Sequence, residues 1–425
     1  MSEADEQQKA TPRLRFPEFR DKPAWRFKPL KAVGERVKQR NSDEGIDRVL
    51  TNSAEHGVLD QRDFFDKDIA TAGKLDNYFV VESGDYVYNP RISRTAPVGP
   101  ISRNNIGRGV MSPLYTVFRL GESGTDFHEH YFATNGWHDY LRSVSSTGAR
   151  HDRMSIGIAD FMRMPIPLPD PAEQRKIAAC LGSLDAWIAA ESRALAALRR
   201  HKTGLMQQLF PRPGQTRPRL RFPEFQNAGE WAETPLEKLI EVASGQVDPT
   251  VPPYCDMPHV SGEHIVSNGG GLTELQTAKE LGQTSGKYLF GPQDLLYSKI
   301  RPALNKVALP NIDGTCSADI YPIRPASGEV GRPYLFYLLL SDGFLQYAVK
   351  NSARSKIPKL NRETLLSFET SLPQPAEQRR IADCLAALDA RLSAQTKKLA
   401  ALRYHKRGLM QQLFPHPDAR PGGGG

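Results

Sequence analysis

Apolar side chains recur on alternating steps of four and three along two stretches of this chain. Between residues 171 and 211 they are Ile177, Leu181, Leu184, Ile188, Leu195, Leu198, Leu205 and Leu209; between 375 and 415 they are Ile381, Leu385, Leu388, Leu392, Leu399, Leu402, Leu409 and Leu413. This heptad spacing keeps one apolar stripe turned toward a partner and predicts two amphipathic helices. Polar residues interrupt the seam at Glu191 and Lys202 in the first stretch and at Gln395 and Lys406 in the second, where they lower stability and fix register. Pro171 and Pro375 stand where a first helical turn needs no N–H, and Pro211 and Pro415 stand just past the last turn. About 38 residues rising 1.5 Å each give rods of roughly 57 Å.

The two stretches are copies of one another. Aligned without a gap at an offset of 204, 28 of their 41 positions are identical. A second duplicated segment, LRFPEF, stands at 14–19 and again at 220–225, each followed by a tryptophan, Trp25 or Trp231. The order is therefore tag, block, helix, then tag, block, helix, an internal repeat. The first helix carries the chain from the first block to the second, and the second helix starts at the second block. An antiparallel pair of helices is the simplest way to bury both seams. The expected organisation is an N-terminal tail (1–21, of which 1–11 reads as disordered), a first domain (22–170), a helix (171–210), a linker (211–227), a second domain (228–374), a helix (375–414) and a C-terminal tail (415–425). Proline and glycine in PRPGQTRP (211–218) rule out regular structure in the linker.

Within the blocks the period shortens to that of strands. YFVV (78–81), DYVYN (85–89) and LYTVFRL (114–120) read as strands in block one, and the aromatic run over 126–144 as a helix. Block two echoes this with DLLYSKI (294–300), TCSADIYPIR (315–324) and a helix over 333–349. The fold class expected is α+β: two mixed α/β domains separated by a long antiparallel two-helix coiled coil, with a pseudo-two-fold internal repeat.

Charge narrows the partners. The 425 residues carry a formal net charge of +8, which favours polyanions, nucleic acid above all. No apolar run approaches the roughly 20 residues that span a bilayer, and the polar N-terminus MSEADEQQKATPRLR has no signal-peptide core, so a cytoplasmic location without membrane contact is expected. The four cysteines form no C-x-x-C pair.

Catalytic signatures fail one by one. VPPY (251–254) places Val251 where an amino-directed methyltransferase needs Asn or Asp; GQTSGKY (282–288) misses the spacing of a phosphate-binding loop; no Asp/Glu-x-Lys triplet occurs. His128-Glu129-His130 has the wrong spacing for a helical zinc pair and reads as a solvated helix start. No active site, metal site or cofactor is expected in the chain.

Basic clusters recur at matched places. In block one they are Arg91 and Arg94 after the DYVYN strand, Arg103 and Arg108 in the next loop, and Arg150, His151 and Arg153 before the final strand. In block two they are Lys299, Arg301 and Lys306, then Arg354, Ser355, Lys356 and Lys359. Arginine grips phosphate or reads guanine, lysine mostly grips phosphate, and Asn89, Asn104, Asn105, Ser298 and Asn305 nearby offer hydrogen bonds to base edges. These residues are the candidate DNA-binding set.

With the LRFPEF openers, the two PAEQRxIA helices ending in GLMQQLFP, GDYVYNP, MSPLYTVF and GARHDRMSI in one half and DLLYSKIRP and SKIPKL in the other, the chain closely resembles the specificity subunit of type I restriction-modification enzymes over essentially its full length. The resemblance implies a non-catalytic subunit with two target-recognition domains, each binding half of a bipartite sequence in double-stranded DNA. It also implies two docked methyltransferase subunits, with S-adenosylmethionine, and restriction subunits, with ATP and magnesium. The family's base-contacting loops vary with target, so the DNA-binding residues above rest on charge and position. Alternative readings are a self-contained modification enzyme, a specificity-like subunit of another defence assembly, and a coiled-coil scaffold that does not bind DNA.

Overall fold

Both heptad stretches form the helices their spacing predicts, Pro171–Leu209 and Pro375–Leu413, each of 39 residues and each opening on its proline. The computed structural model describes residues 9–43, 45–64, 75–121, 126–146, 152–212, 214–326, 328–352 and 357–415. The chain divides into two units: Met1–Glu191 with Lys398–Gly425, and Ser192–Lys397. Each long helix is thus shared, its two halves belonging to different units.

In the first unit a four-stranded antiparallel sheet runs in the order Gly34–Arg36, Thr116–Leu120, Tyr86–Tyr88, Ile101–Arg103. Beside it, Trp25–Pro29 pairs with Pro165–Leu168, while Phe79–Val81 pairs with Gly109–Met111 and Leu50–Ser53 with Gly57–Asp60. In the second unit the same order recurs as Ile240–Val242, Ile320–Pro325, Leu295–Ser298, Val307–Ala308, with Ala232–Pro235 paired to Glu369–Leu372. Three short strands, His259–Val260, Gly314–Cys316 and Tyr288–Phe290, form a further sheet there.

The strand candidates of the sequence sit where expected, with one revision. TCSADIYPIR is two strands in two different sheets, Gly314–Cys316 and Ile320–Pro325, divided by a turn in which the Asp319 amide donates to the Ser317 hydroxyl. Each anticipated aromatic helix is also two: Asp126–Phe132 and His138–Val144 break across Gly136, and Arg332–Leu340 and Asp342–Lys350 break at Ser341, whose hydroxyl caps the second by accepting from the Phe344 amide. The segment read as disordered is paired from Lys9 onward: Lys9–Ala10 adds to the Trp25 strand, and Ala10, Arg15 and Phe19 are buried. Residues 1–8 and the C-terminal glycines lie outside the described residues.

The seam serves two purposes. Ile177 and Leu181 join Trp25, Phe127, Tyr131, Met410, Leu413 and Phe414 in the core of the first unit, and Ile381 and Leu385 join Leu209, Phe210, Trp231 and Tyr334 in that of the second. Full burial of such a side chain contributes about 1.5–3 kcal/mol. Of the remaining positions, Leu195, Leu388, Leu399 and Leu402 are buried, whereas Leu184, Ile188, Leu198 and Leu392 are only partly so. Within the first unit Asp185 meets Lys406 and Glu191 meets Lys398, so moving forward along one helix moves backward along the other. Within the second unit Lys202 meets Asp389. The seam lysines are thus neutralised by aspartates of the opposite copy.

The duplicated tag latches the start of the helix that follows it. Arg15 donates to both carboxylate oxygens of Glu173, in the first helical turn, at 2.7 Å each, and to the carbonyls of Lys22 and Pro23. Arg221 treats Glu377 the same way and also donates to the Ala228 and Gly229 carbonyls. Glu18 pairs with Lys176, whose ammonium lies over Phe16, while Glu224 pairs with Arg380, whose guanidinium lies over Phe222. Each tag also touches the end of the other long helix, through Leu14 N–H to Gln412 and Leu220 N–H to Gln208.

Candidate nucleic-acid interface

In each unit, basic clusters far apart in sequence converge where the chain leaves an inner strand of the four-stranded sheet. After the Tyr86–Tyr88 strand the chain meets the segment before Ile158: Ile92 donates to Asp152, Met154 donates to Pro90, and Arg91 bridges Arg153. After the Leu295–Ser298 strand the same pattern recurs: Arg301 donates to Pro358, Leu360 donates to Lys299, and Ile300 bridges Lys359. Arg91 and Arg153 are therefore brought side by side, with Arg94 close along the chain, and Lys299, Arg301 and Lys359 are gathered likewise. Arg91, Arg94, Arg301 and Lys359 are exposed.

Lys299 differs from a solvated charge. It is nearly buried, its ammonium sits 4.9 Å from the centre of the Tyr321 ring, and burial together with neighbouring Lys359 pulls its pKa below the ordinary lysine value. Two like charges held together in a partly dry site are relieved by an anion between them.

Several expected contacts are committed within the fold instead. Asn89 is buried, donating to the Asn52 carbonyl and accepting from the Arg91 amide. Arg103 is held by Asp126 at 2.6 Å and Glu129 at 3.5 Å, and these partners raise its pKa against the opposing effect of burial. Arg108 pairs with Glu82 while staying mostly exposed, and Lys306 donates to the Gly262 carbonyl. Asn104, Asn105, Ser298 and Asn305 likewise spend their polar atoms on Glu82, Glu129, Ile300 and Leu340. Arg150, His151, Arg354, Ser355 and Lys356 lie outside the described residues.

The His-Glu-His run is not a solvated helix start. Both histidines are buried, because the helix Asp126–Phe132 turns that face into the core. His128 Nε2 is 3.2 Å from the Pro167 carbonyl, and burial pushes its pKa down to about 4. His130 approaches Asp185 and is lowered by burial and by Lys406. Among the described residues no group of three or more His, Cys, Asp or Glu is arranged to hold a metal ion, and no helix is long and apolar enough to cross a membrane.

The residues that reasoning from sequence passed over are Ile92, exposed next to Arg91, and a cleft of about 640 Å3 lined by Glu35, Arg36, Lys38, Gln39 and Arg119. The match of DLLYSKI (294–300) to DYVYNPR (85–91) was the available signal for Ile92, the next residue along, which stands where Arg301 stands in the second half.

Residues 229–403 match the family described as the type I restriction modification DNA specificity domain. The chain is 25% identical over 301 residues to the Type I restriction enzyme EcoDI specificity subunit of Escherichia coli, covering 64% of this chain and 67% of that one. It is 26% identical over 293 residues to the MjaVIII specificity subunit of Methanocaldococcus jannaschii, covering 65% and 66%. The matches thus span about two thirds of these relatives' own length. Its fold is similar to that of the type I restriction-modification S subunit from M. genitalium, with a TM-score of 0.55 at 13% identity, covering 95% of this chain and 99% of that one. A chain from a structure of the assembly and conformational transition of the type I R-M system gives 0.52 at 19% identity, covering 92% and 97%. Two halves built on one frame and joined by duplicated helices are thus similar, in sequence over about two thirds of the chain and in fold over nearly all of it, to the specificity subunits of type I restriction-modification systems.

Proposed function

We propose that this chain recognises a bipartite sequence in double-stranded DNA for a type I restriction-modification enzyme. Each unit reads one half-site through the place where its basic segments converge, and the shared long helices hold the readers at a constant separation as an antiparallel coiled-coil spacer. Chemistry resides in partners: two methyltransferase subunits that carry S-adenosylmethionine and modify adenine, and restriction subunits that use ATP and magnesium.

The observation that carries this reading is the repetition of one backbone frame with different exposed side chains on it, Arg91, Ile92 and Arg94 in one unit and Arg301 and Lys359 in the other. A common frame supplies the phosphate contacts that set register, and divergent side chains supply sequence choice. Two weak contacts on one chain reinforce each other because binding of the first raises the effective concentration of the second.

Long-read detection of modified adenines, in cells carrying this chain with its methyltransferase partner, tests it. The expected result is one two-part motif with a constant spacer that vanishes when this chain is deleted. Modification that persists without the chain would refute the assignment.

A further inference from the structure

We infer that one backbone position, Arg301 in the second unit and Ile92 in the first, faces base edges in both half-sites, Arg301 reading guanine and Ile92 contacting the methyl group of thymine. This rests on the DNA-recognition reading above and names the residue that does the choosing.

The equivalence comes from hydrogen bonds rather than from sequence identity. Ile92 N–H donates to Asp152 at 3.0 Å and Arg301 N–H to Pro358 at 2.8 Å, while Met154 donates to Pro90 and Leu360 to Lys299, both at 2.9 Å. The residues just before them, Arg91 and Ile300, form the matching bridges. Both side chains point off the frame: Ile92 is 37% exposed and Arg301 is exposed. An isoleucine there gains nothing by solvation, and its counterpart is the most versatile hydrogen-bond donor among the side chains.

Arg301 also holds an uncommon backbone. Its φ is +48°, in the left-handed region that non-glycine residues rarely occupy. The loop enforces this conformation: Arg301 donates to Pro358 and accepts from Leu304, Pro302 is buried next to it, and Asn305, itself at φ +47°, is tied through its side chain to the Leu340 carbonyl and Asn268. Such over-determined strain concentrates at ligand-contacting positions. Among the described residues the Arg301 guanidinium has no hydrogen-bond or ion-pair partner, unlike Arg221 and Arg324, which grip Glu377 and Asp294. A rigid stem with an unengaged fork suits bidentate donation to guanine O6 and N7, with Lys299 and Lys359 alongside for the phosphates. An apolar tip on the same stem has one complementary feature in the major groove, the thymine methyl.

The test is adenine methylome sequencing of the full chain with its methyltransferase partner, in cells free of other adenine methyltransferases. Arg301→Gly keeps the left-handed backbone and removes the fork. It should lower modification at wild-type sites by about 5- to 150-fold and release one G·C pair of one half-site, with the other half-site unchanged. Arg301→Lys should retain overall modification while relaxing that pair. Ile92→Arg should replace a T·A pair by a G·C pair in the other half-site. An unchanged motif with Arg301→Gly, or full recovery of wild-type selectivity with Arg301→Lys, overturns the inference. A wild-type chain that produces no two-part adenine motif would instead sink the functional reading beneath it.

Discussion

Lys202 donates to Asp389 at 2.6 Å, joining the two long helices within the second unit, and the residues at the same positions of the opposite copies, Lys406 and Asp185, make the same pair within the first. The contact is reciprocal, as in a symmetric dimer, except that both partners lie on one chain. It accounts for a lysine at that level of each seam. Lys202 is almost fully buried, and Asp389 also accepts from the Tyr337 hydroxyl at 2.8 Å.

Lys202→Ala should therefore destabilise the chain by about 1.5–3 kcal/mol, the range for a hydrogen bond to a charged group, since Asp389 would keep only its tyrosine. Asp389→Ala leaves a buried ammonium and should cost at least as much. Denaturant midpoints of the two single variants and the double variant would show coupling; additive losses would indicate that the pair contributes nothing as a pair.

Arg221→Ala should be more damaging. Glu377 is buried and receives two bonds from Arg221, so removing the arginine strands a carboxylate whose remaining donor is Trp231 Nε1, at a cost of about 3–5 kcal/mol. Replacing Glu377 by Gln in the same chain should recover part of the loss. Thermal unfolding checks both; a melting point unchanged by Arg221→Ala would show that the tag is ornamental.

Acid should weaken the first unit through His128. Its folded pKa of about 4 lies below the ordinary 6.5, so the unfolded chain takes the proton first. Stability is then undiminished above about pH 6.5 and falls as pH drops toward 4, by about 3 kcal/mol in all. His259, buried against Thr315 in the second unit and also lowered to about 4, adds a loss of the same sign. Denaturant titrations from pH 7 to 4.5 should show a shallower fall in His128→Asn than in the parent. Parallel curves would mean that His128 charges freely in the folded state.

Inserting one heptad at matched levels of both long helices should lengthen the spacer of the recognised site by about three base pairs, because seven residues add about 10.5 Å and base pairs stack every 3.4 Å. Both half-sequences should persist. Methylome sequencing that instead showed new half-sequences at the old spacing would remove the spacer role.

The long helices were legible residue by residue because a heptad stripe, a proline at each start and a proline after each end are local signals, and local signals bound an element before anything packs on it. The same holds for most of the strands. Folding alone decided which polar groups remained available. Asn89, Asn104 and Arg103 carry the chemistry of a DNA contact in sequence, yet a carbonyl or carboxylate distant in the chain claims each of them. His128 was likewise drawn inward by a helix whose inner face no short window reveals. The convergence of residues 90–92 with 152–154, and of 299–301 with 358–360, depends on strand pairing across about sixty positions, and nothing in either segment encodes its partner. Periodicity is a property of neighbours along the chain, whereas the availability of a side chain is set by whatever the rest of the fold brings against it.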